Sequence, residues 1–104
     1  MPARIPLPPG LRRLPIAHRA LHDRAQGRIE NAPAAIRAAI EAGYAIEIDL
    51  QLSRDGLPMV FHDEELDRLT TETGPVATRT AAELTRIRLK DSADTIATLA
   101  GILA

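Results

Sequence analysis

The sequence predicts one small α/β domain in which short strands alternate with helices. Two apolar runs, at 14–17 and 57–61, each lead into a histidine and a second polar residue, as expected of buried strands with functional tips. Residues 45–52 alternate strictly between apolar and polar side chains, which is the period of a strand. A helical pattern separates the first strand from the second.

The first 13 residues are predicted to form a proline-rich N-terminal arm, and 14–104 the domain itself. The arm lacks the continuous apolar run of a signal peptide. No segment approaches the roughly 20 apolar residues of a membrane helix. We therefore expect no integral membrane segment and a cytoplasmic location.

Composition excludes several classes of function. Thirteen basic and fourteen acidic residues give a net charge of −1, and neither sign forms a stripe, so we expect no nucleic-acid partner. The chain has no cysteine, which excludes disulfides, thiolate metal sites and a thiol nucleophile. With one tyrosine and one phenylalanine, the core must be largely aliphatic and its stability modest.

A helix is predicted to follow the polar loop 20–28. Asn31 is a suitable cap, Pro33 fits the first turn, and Gly43 suits the left-handed position at the end. Its predicted buried face carries Ile36, Ala39 and Ile40.

The third strand raises a question of topology. Asp55-Gly56 favours a two-residue antiparallel hairpin, in which counting back along both arms places Asp49 opposite His62. In a parallel barrel, polar residues at the carboxyl ends of the strands would converge at one mouth instead. Either arrangement brings the same side chains together.

The remaining chain is predicted to be loop over 64–78, with at most a short helical turn. Thr80 and Glu83 have the spacing of a capping box at the start of a short helix. A last brief helix is predicted near 98–103.

Glu47 and Asp49 point to one side of their strand, where their carboxylates could share a hard cation such as magnesium or calcium. The alternative is a solvent-facing strand surface that carries two acids.

His18 and His62 each end an apolar run, and two imidazoles could act as acid and base near neutral pH. They could equally be structural histidines bonded to loops. Arg19 is suited to bidentate phosphate recognition or to a surface ion pair. Glu30 is interpreted as a helix-capping residue, with bracing of Arg19 or a metal as the alternative. His22 is interpreted as solvated.

Several motifs in order carry a resemblance to a known family. They are Ile16-Ala17-His18-Arg19, Glu30-Asn31, Glu47-Ile48-Asp49, Asp55-Gly56 and Val60-Phe61-His62-Asp63. Together they resemble the signature of glycerophosphodiester phosphodiesterases. The resemblance continues through Leu66-Asp67-Arg68 and Thr80-Ala81-Ala82-Glu83-Leu84 to Thr98-Leu99, so it covers nearly all of the chain after the arm.

The resemblance implies a TIM-type (β/α) barrel that hydrolyses a glycerophosphodiester to glycerol 3-phosphate and an alcohol, a reaction of lipid metabolism. It implies a divalent cation, Mg²⁺ or Ca²⁺, held by Glu47 and Asp49. His18 and His62 would be the acid–base pair, with their individual roles open. Arg19 would bind the substrate phosphate, and Glu30 would be a supporting residue.

Two features depart from the family pattern. Ala20 stands where the family usually has glycine after His-Arg. A complete barrel needs about 250 residues, so 14–104 is expected to be only its N-terminal portion, without a third acidic metal ligand and a nearby lysine. We interpret this as truncation, with self-association as one way to cover the open edges.

Two other functions remain open. One is a catalytically inactive barrel fragment that acts as a binding or interaction module. The other is the related phospholipase D type of chemistry, in which a choline phospholipid is split by intramolecular attack.

Overall fold

The computed structural model describes residues 15–104, and the predicted arm at 1–13 lies outside the described residues. The strands are β1 (Ile16–Ala17), β2 (Ala45–Ile46), β3 (Leu50–Leu52), β4 (Pro58–Val60) and β5 (Ala97–Thr98). The helices are α1 (Pro33–Ala42), α2 (Ala81–Leu84) and α3 (Leu99–Leu103), with single 3-10 turns at Arg24–Gln26 and Val76–Thr78.

The strands form two small sheets, one parallel and the other antiparallel. β1 pairs in parallel with β2, and α1 makes the crossover between them, so this part is a β–α–β unit. β3, β4 and β5 form an antiparallel sheet in that order. The strands joined by Asp55-Gly56 are therefore antiparallel, as in the hairpin considered from the sequence, and the parallel pairing is between β1 and β2.

The prediction of one continuous strand over 45–52 is wrong, because its two ends pair with different partners. The backbone N–H of Glu47 donates to Ala17 O, at the end of β1 (2.9 Å). The carbonyl of Asp49 accepts from Phe61 N, just after β4 (3.0 Å). The chain thus changes sheets between Glu47 and Asp49, and both candidate metal ligands lie at this crossing.

The predicted hairpin exists, but its register differs by one residue. Leu50 pairs with Val60, which places Phe61 rather than His62 opposite Asp49. The loop has three residues instead of two, because Ser53 N still bonds to Leu57 O (3.0 Å) and Gly56 takes a φ of +80°.

Helix α1 begins at Pro33 and ends before Gly43 (φ +75°), as predicted. Asn31, however, is not its cap: Ala32 occupies that position without a side-chain bond. A distant carboxylate serves instead, since Asp94 Oδ2 accepts from Ala34 N (3.0 Å).

The predicted apolar face of α1 is only partly buried. Ile36 and Ala39 lie in the interior, whereas Ile40 is 64% exposed and does not belong to the core.

The main core lies beneath β4 and the long loop that follows it. Its largest fully buried side chains include Phe61, Met59, Leu66, Leu84 and Ile96. Segment 64–78 is a loop with one 3-10 turn, as predicted. Thr80 caps α2 by accepting from Glu83 N (3.2 Å), which confirms the cap predicted there. The final helix is also confirmed, whereas β5 was not predicted.

The hairpin leaves apolar surface in solvent. Leu50, Leu52 and Leu57 are all exposed, Leu52 to 61%. The sheets described for 15–104 do not close into a barrel. Within the same residues, none of the helices combines the length and apolar character needed to cross a membrane.

Candidate active site

A tight turn after β1 places His18 and Arg19. Arg19 and Ala20 both have positive φ values, 55° and 64°. The turn is fixed to both parallel strands, because Ala20 N donates to Ala17 O (3.2 Å) and to Glu47 O (3.0 Å). His18 points outward, with its side chain 70% exposed and its Nε2 3.5 Å from Glu47 Oε1.

Arg19 lies at the centre of the site and contacts three other predicted site residues. Its Nη1 donates to Glu30 Oε2 at 2.7 Å, and its Nη2 lies 3.0 Å from His62 Nε2. Its Nε is 3.8 Å from Asp49 Oδ2, and among the described residues this buried nitrogen has no hydrogen-bond partner.

The interpretation of Glu30 as a helix cap is wrong. Its side chain is only 7% exposed and lies between two guanidinium groups, those of Arg19 and Arg68. A buried carboxylate is costly unless it is paired, and two cations meet that need. Glu30 therefore braces Arg19, which was the alternative considered from the sequence.

His62 is held from its other side by Asp63, which is bound in turn by Arg68. The Nδ1 of His62 lies 2.7 Å from Asp63 Oδ1. Arg68 donates two hydrogen bonds to the same carboxylate, from Nε at 2.8 Å and from Nη2 at 3.0 Å. Hydrogen bonds from Arg68, and then from His62, lower the pKa of Asp63 to about 2, and Asp63 in turn raises the pKa of Arg68.

Sequence reasoning did not assign a role to Asp63 or Arg68. The signal available was an acid directly after a candidate catalytic histidine, with an arginine five residues further on. Spacing alone could not show that the intervening loop returns Arg68 to both Asp63 and Glu30.

Asp49 is fixed by Asn31. Asn31 Nδ2 donates to Asp49 Oδ2 (3.1 Å), and Asp49 N donates to Asn31 Oδ1 (3.0 Å). Asn31 is buried and has a φ of +59°, a conformation that asparagine tolerates better than most residues. Its role is therefore to orient Asp49 rather than to begin α1.

The acid pair can supply part of a cation site. Groups of three or more potential metal-binding side chains are absent from the region 15–104. Mg²⁺, however, is usually bound through one or two carboxylates together with waters and substrate phosphates. Glu47 and Asp49 are both partly exposed and fit that kind of site.

A small cleft of about 180 Å³ lies beside Arg19 and Glu30. Its other charged walls are Arg24, Arg28 and Arg68. These three arginines pair with Asp91, Asp23 and Asp63 respectively, so each of them already has an acidic partner. His22 also borders it and is exposed, as predicted.

Two imidazoles, two carboxylates and a guanidinium near the ends of β-strands in an α/β unit are the groups expected of a phosphoric diester hydrolase. The glycerophosphoryl diester phosphodiesterase family matches residues 18–102. This chain belongs to that family.

Known proteins agree with the assignment. The chain is 39% identical over 74 residues to glycerophosphodiester phosphodiesterase 1 of Bos taurus, a match that covers 69% of this chain and 21% of that protein. A glycerophosphoryl diester phosphodiesterase structure from Parabacteroides distasonis matches with a TM-score of 0.75 and 32% identity, over 84% of this chain and 32% of the other.

A phosphodiesterase of Oleispira antarctica, solved with the product sn-glycerol-3-phosphate, matches with a TM-score of 0.73 and 33% identity. That match covers 88% of this chain and 39% of the Oleispira chain. The chain thus spans between about a fifth and two fifths of the proteins named here. The predicted fold class, an α/β portion of a TIM-type barrel, is confirmed.

Proposed function

We propose that this site hydrolyses glycerophosphodiesters to glycerol 3-phosphate and an alcohol, a step of lipid metabolism. The observation that carries the proposal is the 3.0 Å contact between Arg19 Nη2 and His62 Nε2. It puts a group suited to phosphate recognition beside one suited to proton transfer. The bound product of the Oleispira relative supports the substrate class.

The contact between His62 Nδ1 and Asp63 suits a general base, because an acceptor at Nδ1 leaves Nε2 as the basic nitrogen. In this proposal His62 Nε2 takes a proton from the attacking water or substrate hydroxyl, whose oxygen forms the new bond to phosphorus. Where the substrate hydroxyl attacks, a cyclic phosphate forms, and water then opens it to give glycerol 3-phosphate. His18 gives a proton to the alcohol oxygen as the phosphorus–oxygen bond to the leaving group breaks. Arg19 stabilises the negative charge that develops on the phosphoryl oxygens.

Glu47 and Asp49 would hold the divalent cation, with Mg²⁺ and Ca²⁺ as the two candidates. When bound, the cation would neutralise phosphoryl charge together with Arg19. Asn31 would keep Asp49 oriented toward it through the two hydrogen bonds described above.

The test is hydrolysis of glycerophosphocholine by the purified chain with magnesium, with calcium and with a chelator. We expect metal-dependent release of glycerol 3-phosphate that disappears in His18→Ala and in His62→Ala. Release that continues in either variant or under chelation would contradict the roles given to these groups. Release of choline together with a cyclic phosphate that is not opened to glycerol 3-phosphate, or the same pair of products from a choline lysophospholipid, would point to the phospholipase D-type chemistry of intramolecular attack.

A second candidate is a non-catalytic binding or interaction module. The exposed leucines of the hairpin favour it, because apolar surface beside an edge strand promotes association. No hydrolysis, together with concentration-dependent dimers in analytical ultracentrifugation that Leu52→Lys abolishes, would favour this candidate. Hydrolysis by a species that remains monomeric would exclude it.

A further inference from the structure

We propose that Arg68 is a positioning residue that fixes His62 and Arg19 at the same time. The inference deepens the proposed function and rests on the roles given there to His62 and Arg19. Arg68 touches neither residue directly, and it acts on each through a carboxylate.

The five side chains form a closed ring. Arg19 contacts His62 Nε2 (3.0 Å), and His62 Nδ1 contacts Asp63 (2.7 Å). Asp63 accepts two bonds from Arg68, and Arg68 Nη2 pairs with Glu30 Oε1. Glu30 Oε2 then accepts from Arg19 (2.7 Å) and closes the ring. Each member is held by two neighbours.

The chemistry of the ring fixes the protonation of the imidazole. A guanidinium has donors and no acceptor, so His62 Nε2 must accept from Arg19. The hydrogen of the neutral imidazole is then on Nδ1 and is donated to Asp63. Two guanidiniums and two carboxylates around a neutral imidazole leave no net charge.

Arg68 is the member that joins the two halves of the ring. Its Nε and Nη2 both bind Asp63, and Nη2 also reaches Glu30. Without it, one oxygen of the buried Glu30 carboxylate loses its partner, and Asp63 is free to rotate away from His62. The tautomer of His62 and the orientation of Arg19 would then become variable together.

The experiment is to measure the His62 tautomer in the ¹⁵N-labelled chain by long-range ¹H–¹⁵N correlation NMR. The pH is chosen so that the imidazoles are neutral, and His62→Gln identifies the signals. In the unsubstituted chain we expect a single Nδ1–H form. In Arg68→Met we expect a mixture in which the Nε2–H form appears.

The matched control is Arg79→Met. Arg79 forms a comparable ion pair with Glu72 (Nη1–Oε1 2.9 Å), and neither residue belongs to the ring. We expect this variant to keep the Nδ1–H form. If Arg68→Met keeps it as well, Arg68 does not position His62 and the proposal is wrong.

A second variant, which keeps the positive charge, allows the proposal to be tested if the first variant does not fold. If Arg68→Met does not fold, Arg68→Lys retains the cation but cannot bind both carboxylates with a planar fork, and it should still give the tautomer mixture. An unchanged Nδ1–H signal in a folded Arg68→Lys would overturn the proposal.

The tautomer measurement needs no substrate, so it can be interpreted even if the chain hydrolyses nothing. Where hydrolysis is detected, Arg68→Met should lower kcat by on the order of 10- to 100-fold, as loss of an outer positioning partner commonly does. KM should change less, and Arg79→Met should change neither.

Discussion

Asn31 and Asp49 exchange two hydrogen bonds, from Asn31 Nδ2 to Asp49 Oδ2 and from Asp49 N to Asn31 Oδ1. The pair joins the segment before α1 to the point where the chain changes sheets. Asn31 N also donates to Arg19 O (2.8 Å), so one buried amide residue connects the candidate phosphate-binding turn with a candidate metal ligand.

Replacement of Asn31 should therefore destabilise the fold as well as loosen the site. Asn31→Ala loses both side-chain bonds and places alanine at a φ of +59°, which should lower the unfolding free energy by about 2–4 kcal/mol in urea titrations. Asn31→Gly loses the same bonds without the backbone strain, so it should be less destabilised by about 1 kcal/mol. If the two variants were equally stable, alanine would not be strained at the positive φ of residue 31.

Ala20→Gly should be well tolerated. Glycine adopts a φ of +64° without backbone strain, which should stabilise the fold by about 1 kcal/mol. The loss of the buried methyl group should destabilise it by about the same amount. We expect an unfolding free energy close to that of the unsubstituted chain and hydrolytic activity that is intact or improved. Ala20→Val is the contrasting variant, because a β-branched residue at this φ should destabilise the turn strongly. A large loss of stability in Ala20→Gly would be inconsistent with this account.

Glu30→Gln should be among the more damaging single changes at the site. It removes the negative charge between Arg19 and Arg68, and we expect the unfolding free energy to fall by about 2–3 kcal/mol. This is less than for a fully buried ion pair, because both arginines are partly exposed. Glu72→Gln, at the more exposed pair with Arg79, should cost less than about 1 kcal/mol. Similar losses in urea titrations of the two variants would show that burial does not strengthen the Glu30 pairs.

Acid should weaken the fold partly through Asp63. Its pKa falls from 3.8 to about 2 on folding, so the ionised carboxylate contributes stability that is fully present above pH 3.8 and is lost as the pH falls through about 2. The contribution is about 2 kcal/mol or less after solvent screening. Urea titrations between pH 5 and 2 should show a shallower decline in Asp63→Asn. Parallel curves for the two proteins would rule out this source of acid sensitivity.

The sequence predicted the parts of the site that depend on local patterns. Strand ends placed His18, Arg19 and His62 correctly at the tips of apolar runs, and Pro33 and Gly43 marked the ends of α1. These signals work because burial and backbone conformation are decided by a residue and its near neighbours.

Local sequence patterns could not predict the contacts between segments that are far apart in the chain. The alternation over 45–52 is compatible with one strand, and only pairing with β1 at one end and β4 at the other divides it. The register of the hairpin is set by the backbone hydrogen bond between Ser53 and Leu57, which makes the loop three residues long. The sequence did not indicate that this bond would form. The roles of Asn31 and Arg68 depend on partners 18 residues and 38 residues away, Asp49 and Glu30.

The contact between Arg19 and His62 bears on when His62 could act as a base. The imidazole nitrogen that would remove a proton from the nucleophile is already hydrogen-bonded to Arg19. A phosphate group competes for that same guanidinium, and its arrival would release the nitrogen. Under the proposed function, proton removal by His62 would then depend on a bound phosphate, and water would not be activated before the substrate binds.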